Sequence, residues 1–179
     1  MGELFGYEVS KTLEYEDIEV ETPLGIATSK VIASPLVLGT ILRAGLPLHQ
    51  GLLNVFDDAQ NAFVAAYRKY EKNNECELLI EYQSCPGLEG KTLVIADAMI
   101  ASGASMVLAY ESLIAAGEPV HTHIVCPVAS REGVENLSKR LPHKRVTLWV
   151  GAIDEELTNH SYIVPGLGDA GDLAFGSKN

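Results

Sequence analysis

Basic residues are scarce in this chain: 13 lysines and arginines stand against 24 aspartates and glutamates, a formal net charge of −11. A surface that held polyanions through its overall field would carry the opposite sign, which argues against a nucleic-acid partner. A phosphate-bearing ligand must then be gripped locally, by backbone N–H groups at a helix N-terminus, by one or two placed arginines, or through a bridging metal ion. Cysteine is equally sparse. Cys76, Cys85 and Cys126 are an odd number at spacings that form neither a redox pair nor a zinc framework, so they read as reduced thiols and packing residues. No stretch reaches the ~18 consecutive apolar residues of a membrane span. The opening "MGELFGYEVS" carries Glu3 and Glu8 where a secretory leader needs positive charge and then an apolar run. A cytoplasmic protein is expected.

Apolar material is plentiful, at 47% of 179 residues, and suits a single domain over residues 1–179. Residues 3–15 place Leu4, Tyr7 and Leu13 on a helical face, and "DIEVETPLGIAT" alternates about a proline turn as a small hairpin. "PLVLGTILRAG" reads as strand then loop, and the spacing of Leu46, Leu48, Leu52, Leu53 and Phe56 as helix. "NAFVAAY" is a strand, "RKYEKNNECE" an exposed polar loop, and "LLIEY" a further strand. "GKTLVIADA" is the clearest buried strand and "SMVLAYESLIAAGEPV" the clearest helix, closed by Gly117. "VHTHIVCPVA" and "RVTLWVGAI" are strands flanking "SREGVENLSKRLP", a helix capped by Ser130. The tail "YIVPGLGDAGDLAFG" has little periodicity of either kind. Apolar strands alternating with helices imply a mostly parallel sheet covered on both faces. In such sheets ligands sit at the carboxyl ends of the strands, which directs attention to the loops after Leu42, Tyr67 and Ala96 and to the tail.

"VIADAMIASGAS" delivers Asp97 at a strand end, then small residues and two hydroxyls ahead of a helix. Small side chains let a phosphate approach backbone N–H groups that lack intrahelical partners. From this stretch alone, an ordinary helix cap with a buried strand-end aspartate remains an equal alternative. It is not a P-loop, because no Gly-Lys-Ser/Thr follows.

With "ILRAGLP", "AYR", "DAMIASGAS" and "YIVPGLGDAGD…FG" in this order and spacing, essentially the whole chain resembles the uracil phosphoribosyltransferases, of the type I phosphoribosyltransferase family. The resemblance implies that family's α/β fold, a mostly parallel sheet flanked by helices with a small hairpin or hood element. It implies pentosyl transfer from 5-phosphoribosyl 1-diphosphate to N1 of uracil, in pyrimidine salvage, by a cytoplasmic homodimer. Carried over by residue, it has Asp97, Ala98, Met99, Ile100, Ala101, Ser102, Gly103, Ala104 and Ser105 hold the ribose and its phosphate. Arg43 and Arg68 meet the diphosphate, a role suited to guanidinium groups. Ile163, Gly168, Asp169 and Ala170 hold uracil, largely through main-chain groups, and Asp169 also touches the phosphoribosyl substrate or its Mg²⁺. Arg43, Arg68, Asp97 and Asp169 form the implied catalytic set, with Mg²⁺ carried mainly on the substrate diphosphate.

Ala98 and Ala104 depart from the family pattern, which has proline and glycine there. A Cβ at residue 104 is unfavourable if that position needs φ > 0 or close phosphate approach. This leaves a second reading open, a catalytically weakened homologue that senses nucleotides. His121 and His123 read as neighbours on a half-exposed strand face, Cys126 as core, and Trp149 as a packing or interface residue. The stretch from Asp154 to His160 reads as a polar turn that buttresses the uracil segment.

Overall fold

A computed structural model describes residues 1–70 and 76–177, with side chains described outside 67–70 and 76–78. Helix α1 (Gly2–Ser10) leads into β1 (Tyr15–Thr22) and β2 (Gly25–Ile32), an antiparallel hairpin with Tyr15 opposite Ile32. Then follow β3 (Leu36–Leu42), α2 (Leu46–Leu53), β4 (Gln60–Tyr70), β5 (Cys76–Ser84) and β6 (Thr92–Ala96). A two-residue β7 (Met99–Ile100) precedes α3 (Ala104–Ile114), β8 (His121–Ser130), α4 (Arg131–Arg140) and β9 (Val146–Asp154). The chain ends in β10 (Glu156–Leu157), β11 (Ile163–Val164) and α5 (Ala170–Phe175).

Seven strands form the main sheet, in the order β5, β4, β3, β6, β8, with β7 and β9 both paired to β8. Every pairing in it is parallel except β4 with β5. The expected mostly parallel architecture is therefore present. Both faces are apolar: Val37, Leu93, Ile95, Ile124 and Cys126 pack with α3 and α4, whereas Leu38, Val94, Ala96 and Val125 pack with α1 and α2. From β3 the chain moves outward to β4 and β5, and from β6 it moves the other way to β8 and β9. That reversal opens a crevice beyond the carboxyl ends of β3 and β6, the place where open α/β sheets receive ligands.

Several expectations are corrected. On α1 the buried residues are Gly2, Phe5, Gly6 and Val9, while Leu4 and Tyr7 are exposed. The reason is close helix approach: a Cβ on Gly2 would lie 2.2 Å from the Leu48 carbonyl oxygen, and one on Gly6 would lie 3.0 Å from Val55. Counting only large apolar residues therefore picked the outer face. Strand pairing also claims both ends of the polar run, because Arg68 pairs with Leu78 and Tyr70 with Cys76, while residues 71–75 lie outside the described residues. The tail is not wholly irregular: β11 pairs with β10, and Asp169 caps α5 by accepting from the Asp172 N–H at 2.9 Å. His123 is buried rather than half-exposed.

Candidate active site

Register sets the geometry of the crevice. Thr40 of β3 pairs with Ala96 of β6, so Arg43 and Asp97 leave the sheet at the same end from adjacent strands. Leu42 also pairs with Ala65, and β4 continues past it, carrying the backbone of Arg68 beyond the same end; the Arg68 side chain lies outside the described ones. The turn after β3 is tight. Gly45 N–H donates to the Ile41 carbonyl at 3.0 Å, and a Cβ on Gly45 would stand 2.3 Å from Thr40 Oγ1 and 2.7 Å from the Ala96 carbonyl oxygen. Only glycine lets α2 start this close to the sheet.

The segment from Asp97 to Gly103 is held from below. Met99 and Ile100 pair with Val128 and Ala129 of β8, and the Ile100 side chain enters the core. Ser130 Oγ caps α4 by accepting from Gly133 N–H at 2.9 Å and donates to the Ala101 carbonyl at 2.5 Å. Asn136 Nδ2 donates to the Ser102 carbonyl at 2.7 Å. The N-terminal half of α4 and its cap thus grip two consecutive carbonyls of the loop. Gly103 then turns the chain with φ of 78° and leads into α3, whose first N–H groups have no intrahelical acceptor. Ala104 lies inside α3, and the left-handed residue is Gly103. A Cβ at 104 meets no backbone strain, so that ground for reading the loop as weakened falls away.

Asp97 is partly buried, with one carboxylate oxygen accepting from the Ala98 N–H at 2.7 Å. Burial pushes its carboxyl up to about 7, against the opposing pull of the Ala98 and Met99 N–H groups. It can therefore exchange a proton near neutrality, and as a carboxylate it can accept from two vicinal hydroxyls. Cys126, fully buried in the core, has its thiol pushed up chiefly by burial and secondarily by Asp97, which makes it inert as a nucleophile.

The tail approaches Arg43. Arg43 Nη2 donates to Asp172 Oδ1 at 2.9 Å and to the Gly176 carbonyl at 3.3 Å, and the guanidinium lies 5.9 Å from the Phe175 ring centroid. A Cβ on Gly171 would stand 3.2 Å from Asp169 Oδ1 and 3.8 Å from Arg43 Nη2. Arg43, Asp169 and Ala170 are thereby brought into one neighbourhood. Ile163 is buried on β11, and Gly166 and Gly168 turn with φ of 51° and 79°. Gly166 N–H donates to Asp154 Oδ2 at 2.9 Å, the buttress expected of that segment. Sequence reading missed Asp172, Gly133 and Asn136. Asp172 stands in the "GDAGD" motif, but its partner lies 129 positions away, and no local spacing reveals that.

Among the described residues no three His, Cys, Asp or Glu side chains cluster as a metal site, and no helix is long and apolar enough to cross a membrane. A cavity of about 580 Å³ opens at the opposite, amino-terminal end of the strands, bordered by Glu14, Thr92, His121, His123 and Trp149. His121 and His123 stand 4.7 Å apart between ring centroids; Trp149 Nε1 donates to His123 Nδ1 at 3.1 Å, and His121 Nε2 bonds with Thr147 Oγ1 at 2.9 Å. The crevice at the carboxyl ends, where Arg43, Asp97 and the tail meet, is the better candidate for chemistry.

Residues 1–177 match the family model of uracil phosphoribosyltransferase. The chain is 48% identical over 178 residues to the uracil phosphoribosyltransferase of Porphyromonas gingivalis, covering 99% of this chain and 82% of that protein. Among solved structures, the AQ2163 protein of Aquifex aeolicus superposes with a TM-score of 0.88 at 32% identity, covering 98% of this chain and 82% of that one. A hypoxanthine phosphoribosyltransferase from Staphylococcus aureus shares the fold alone, with a TM-score of 0.53 at 14% identity over 88% of this chain and 73% of its own.

Proposed function

Since the chain belongs to the uracil phosphoribosyltransferase family, we propose that it moves the phosphoribosyl group of 5-phosphoribosyl 1-diphosphate onto N1 of uracil, releasing diphosphate and forming uridine 5′-monophosphate. One catalytic unit spanning residues 1–179, working in the cytoplasm as a homodimer, is part of the same proposal. The observation that carries it is the crevice itself, where a phosphate-type loop and an arginine leave one end of one sheet and the Gly-rich tail reaches that arginine through Asp172.

Displacement at the anomeric carbon builds positive charge on the sugar and negative charge on the departing diphosphate. Arg43 and Arg68 meet the second, with Arg43 already oriented by the tail. The loop from Asp97 to Ser105 holds the ribose 5-phosphate on the N–H groups of Gly103, Ala104 and Ser105, with the Ser102 and Ser105 hydroxyls beside them, while Ala98, Met99, Ile100 and Ala101 supply backbone. Asp97, once ionised, accepts from the ribose hydroxyls. Uracil alternates carbonyl acceptors with N–H donors along its edge, and the extended backbone around Ile163, Gly168, Asp169 and Ala170 can match that pattern. Positioning both reactants in one crevice supplies much of the rate.

Mg²⁺ fits this donor set in one way. With no cluster of three acidic or imidazole ligands among the described residues, the ion would arrive on the diphosphate oxygens, with Asp169, in the same neighbourhood as Arg43, as the protein carboxylate to meet it, since Asp172 is already ion-paired with that arginine. Held there, such an ion would supply neutralisation of the leaving-group charge.

The test is diphosphate release with Mg²⁺ and uracil, run beside cytosine and hypoxanthine. Turnover with uracil alone is expected, and Arg43→Ala should lower kcat/KM by on the order of 100-fold, as loss of a charge-stabilising donor does. No uracil turnover above background would refute the reading.

A further inference from the structure

The C-terminal helix reaches back to the loop after β3 at Arg43, and that contact has a geometry suited to more than holding the tail. Arg43 Nη2 is shared between Asp172 Oδ1 at 2.9 Å and the Gly176 carbonyl at 3.3 Å, so both acceptors sit on one end of the guanidinium. Arg43 Nε is buried and has no hydrogen-bond acceptor among the described residues. A buried donor without a partner is costly, and a guanidinium held rigidly with an unmatched N–H is one prepared for an anionic acceptor. Phe175 lies near the guanidinium, and Gly171 leaves the space beside Nη2 that any larger residue would occupy. Asp172 is itself held, its N–H donating to Asp169 Oδ1 at 2.9 Å.

We infer that Asp172 is a positioning residue, acting through Arg43: its carboxylate fixes the guanidinium so that the remaining N–H donors face the diphosphate, and it ties that arginine to the segment that carries uracil. This rests on the assignment of Arg43 to the diphosphate made above. The chemistry is specific. A carboxylate adds ion pairing to the hydrogen bond that a neutral amide would also accept from the guanidinium. An asparagine at 172 keeps the shape with a weaker bond, and an alanine removes the bond altogether. The tether also makes the two substrate sites interdependent, because loosening α5 from Arg43 loosens the cap at Asp169.

A double-mutant cycle tests it. Asp172→Ala should raise KM for 5-phosphoribosyl 1-diphosphate on the order of tenfold, Asp172→Asn by roughly threefold, with kcat changed less than KM. In an Arg43→Ala background the same Asp172 substitutions should change KM less than twofold, since the group they act through is gone. Thermal midpoints of all variants are recorded alongside, and Asp172→Asn, which preserves volume at a partly exposed site, serves if Asp172→Ala folds poorly. Equal effects in both backgrounds, an unchanged KM, or a lower KM in Asp172→Ala would each overturn the inference. If Arg43→Ala itself behaves like the parent, the assignment of Arg43 to the diphosphate has failed, and that outcome is read separately.

Discussion

Substituting Gly133 by alanine sets two effects of opposite sign against each other. Within α4 the change should help, because alanine in a helix is favoured over glycine by up to about 1 kcal/mol, and less in the first turn. Packing opposes it. The new Cβ would stand 2.3 Å from the Ala101 carbonyl oxygen and 2.9 Å from both Ile100 Cγ2 and the Ile100 carbonyl oxygen. The first contact is about 1 Å short of van der Waals separation, and its partner is backbone, which cannot rotate away. Overpacking of this kind costs typically 1–3 kcal/mol, here near the upper limit, so the net loss is about 2 kcal/mol. For a chain of this length that lowers Tm by roughly 4–8 °C. Relief requires moving the Ala101 and Ile100 carbonyls, which lie in the segment assigned to the ribose phosphate. A displacement of about 1 Å in a positioning element can cost on the order of 100-fold in rate, so kcat/KM for 5-phosphoribosyl 1-diphosphate should fall by tenfold or more. Thermal unfolding followed by circular dichroism, with initial rates at varied substrate, reads both. A Gly133→Ala protein that melts higher than the parent and keeps its KM would refute the clamp.

Ala104→Gly should lower stability by roughly 0.5–1 kcal/mol without tightening phosphoribosyl binding, because residue 104 has ordinary helical geometry and glycine only adds flexibility; a several-fold lower KM would show that its Cβ does obstruct the phosphate. The pH dependence of stability sets three histidines against Asp97: burial lowers His49, His121 and His123 and raises Asp97, so their slopes are opposite. His123 is held down to about 4, mainly by burial and further by His121, so the unfolded chain binds more protons between pH 4 and 6.5, and about 3 kcal/mol present above pH 6.5 is lost as pH falls to 4. Asp97, raised from 3.8 to about 7, binds its proton more tightly when folded, so its contribution is present below pH 3.8 and is lost as pH rises to 7. Urea midpoints of the parent should therefore rise with pH between 4.5 and 6.5, with Asp97 opposing the three histidines. Asp97→Asn should steepen that rise and His123→Gln should flatten it; parallel profiles for all three proteins would contradict the assignment.

The parallel sheet was legible because β3, β6 and β8 are apolar on both faces, which a strand buried between two helical layers must be. The Ser130 cap was legible for a similarly local reason, since its partner, Gly133, is three residues away. The inward face of α1 was not, because what buries it is the absence of side chains at Gly2 and Gly6, and hydrophobic periodicity cannot weigh an absence. The extent of β4 and β5 was hidden for another reason: a polar composition says loop, and only the partner strand supplies the hydrogen bonds that overrule it.

The candidate site divides in the same way. Asp97, Gly103 and the Gly-rich tail announce themselves in sequence, because a phosphate loop and a tight turn are local devices whose residues must be contiguous. So the sequence alone determined the family and the fold class, and it named most of the residues proposed for the site. Tertiary structure decided which position bears the left-handed backbone, Gly103 rather than Ala104, and which side chains hold the site in place. Asp172 on Arg43, Asn136 on the Ser102 carbonyl and Gly133 beneath Ala101 join positions between 32 and 129 residues apart, and only the path of the chain through space brings such partners within bonding distance.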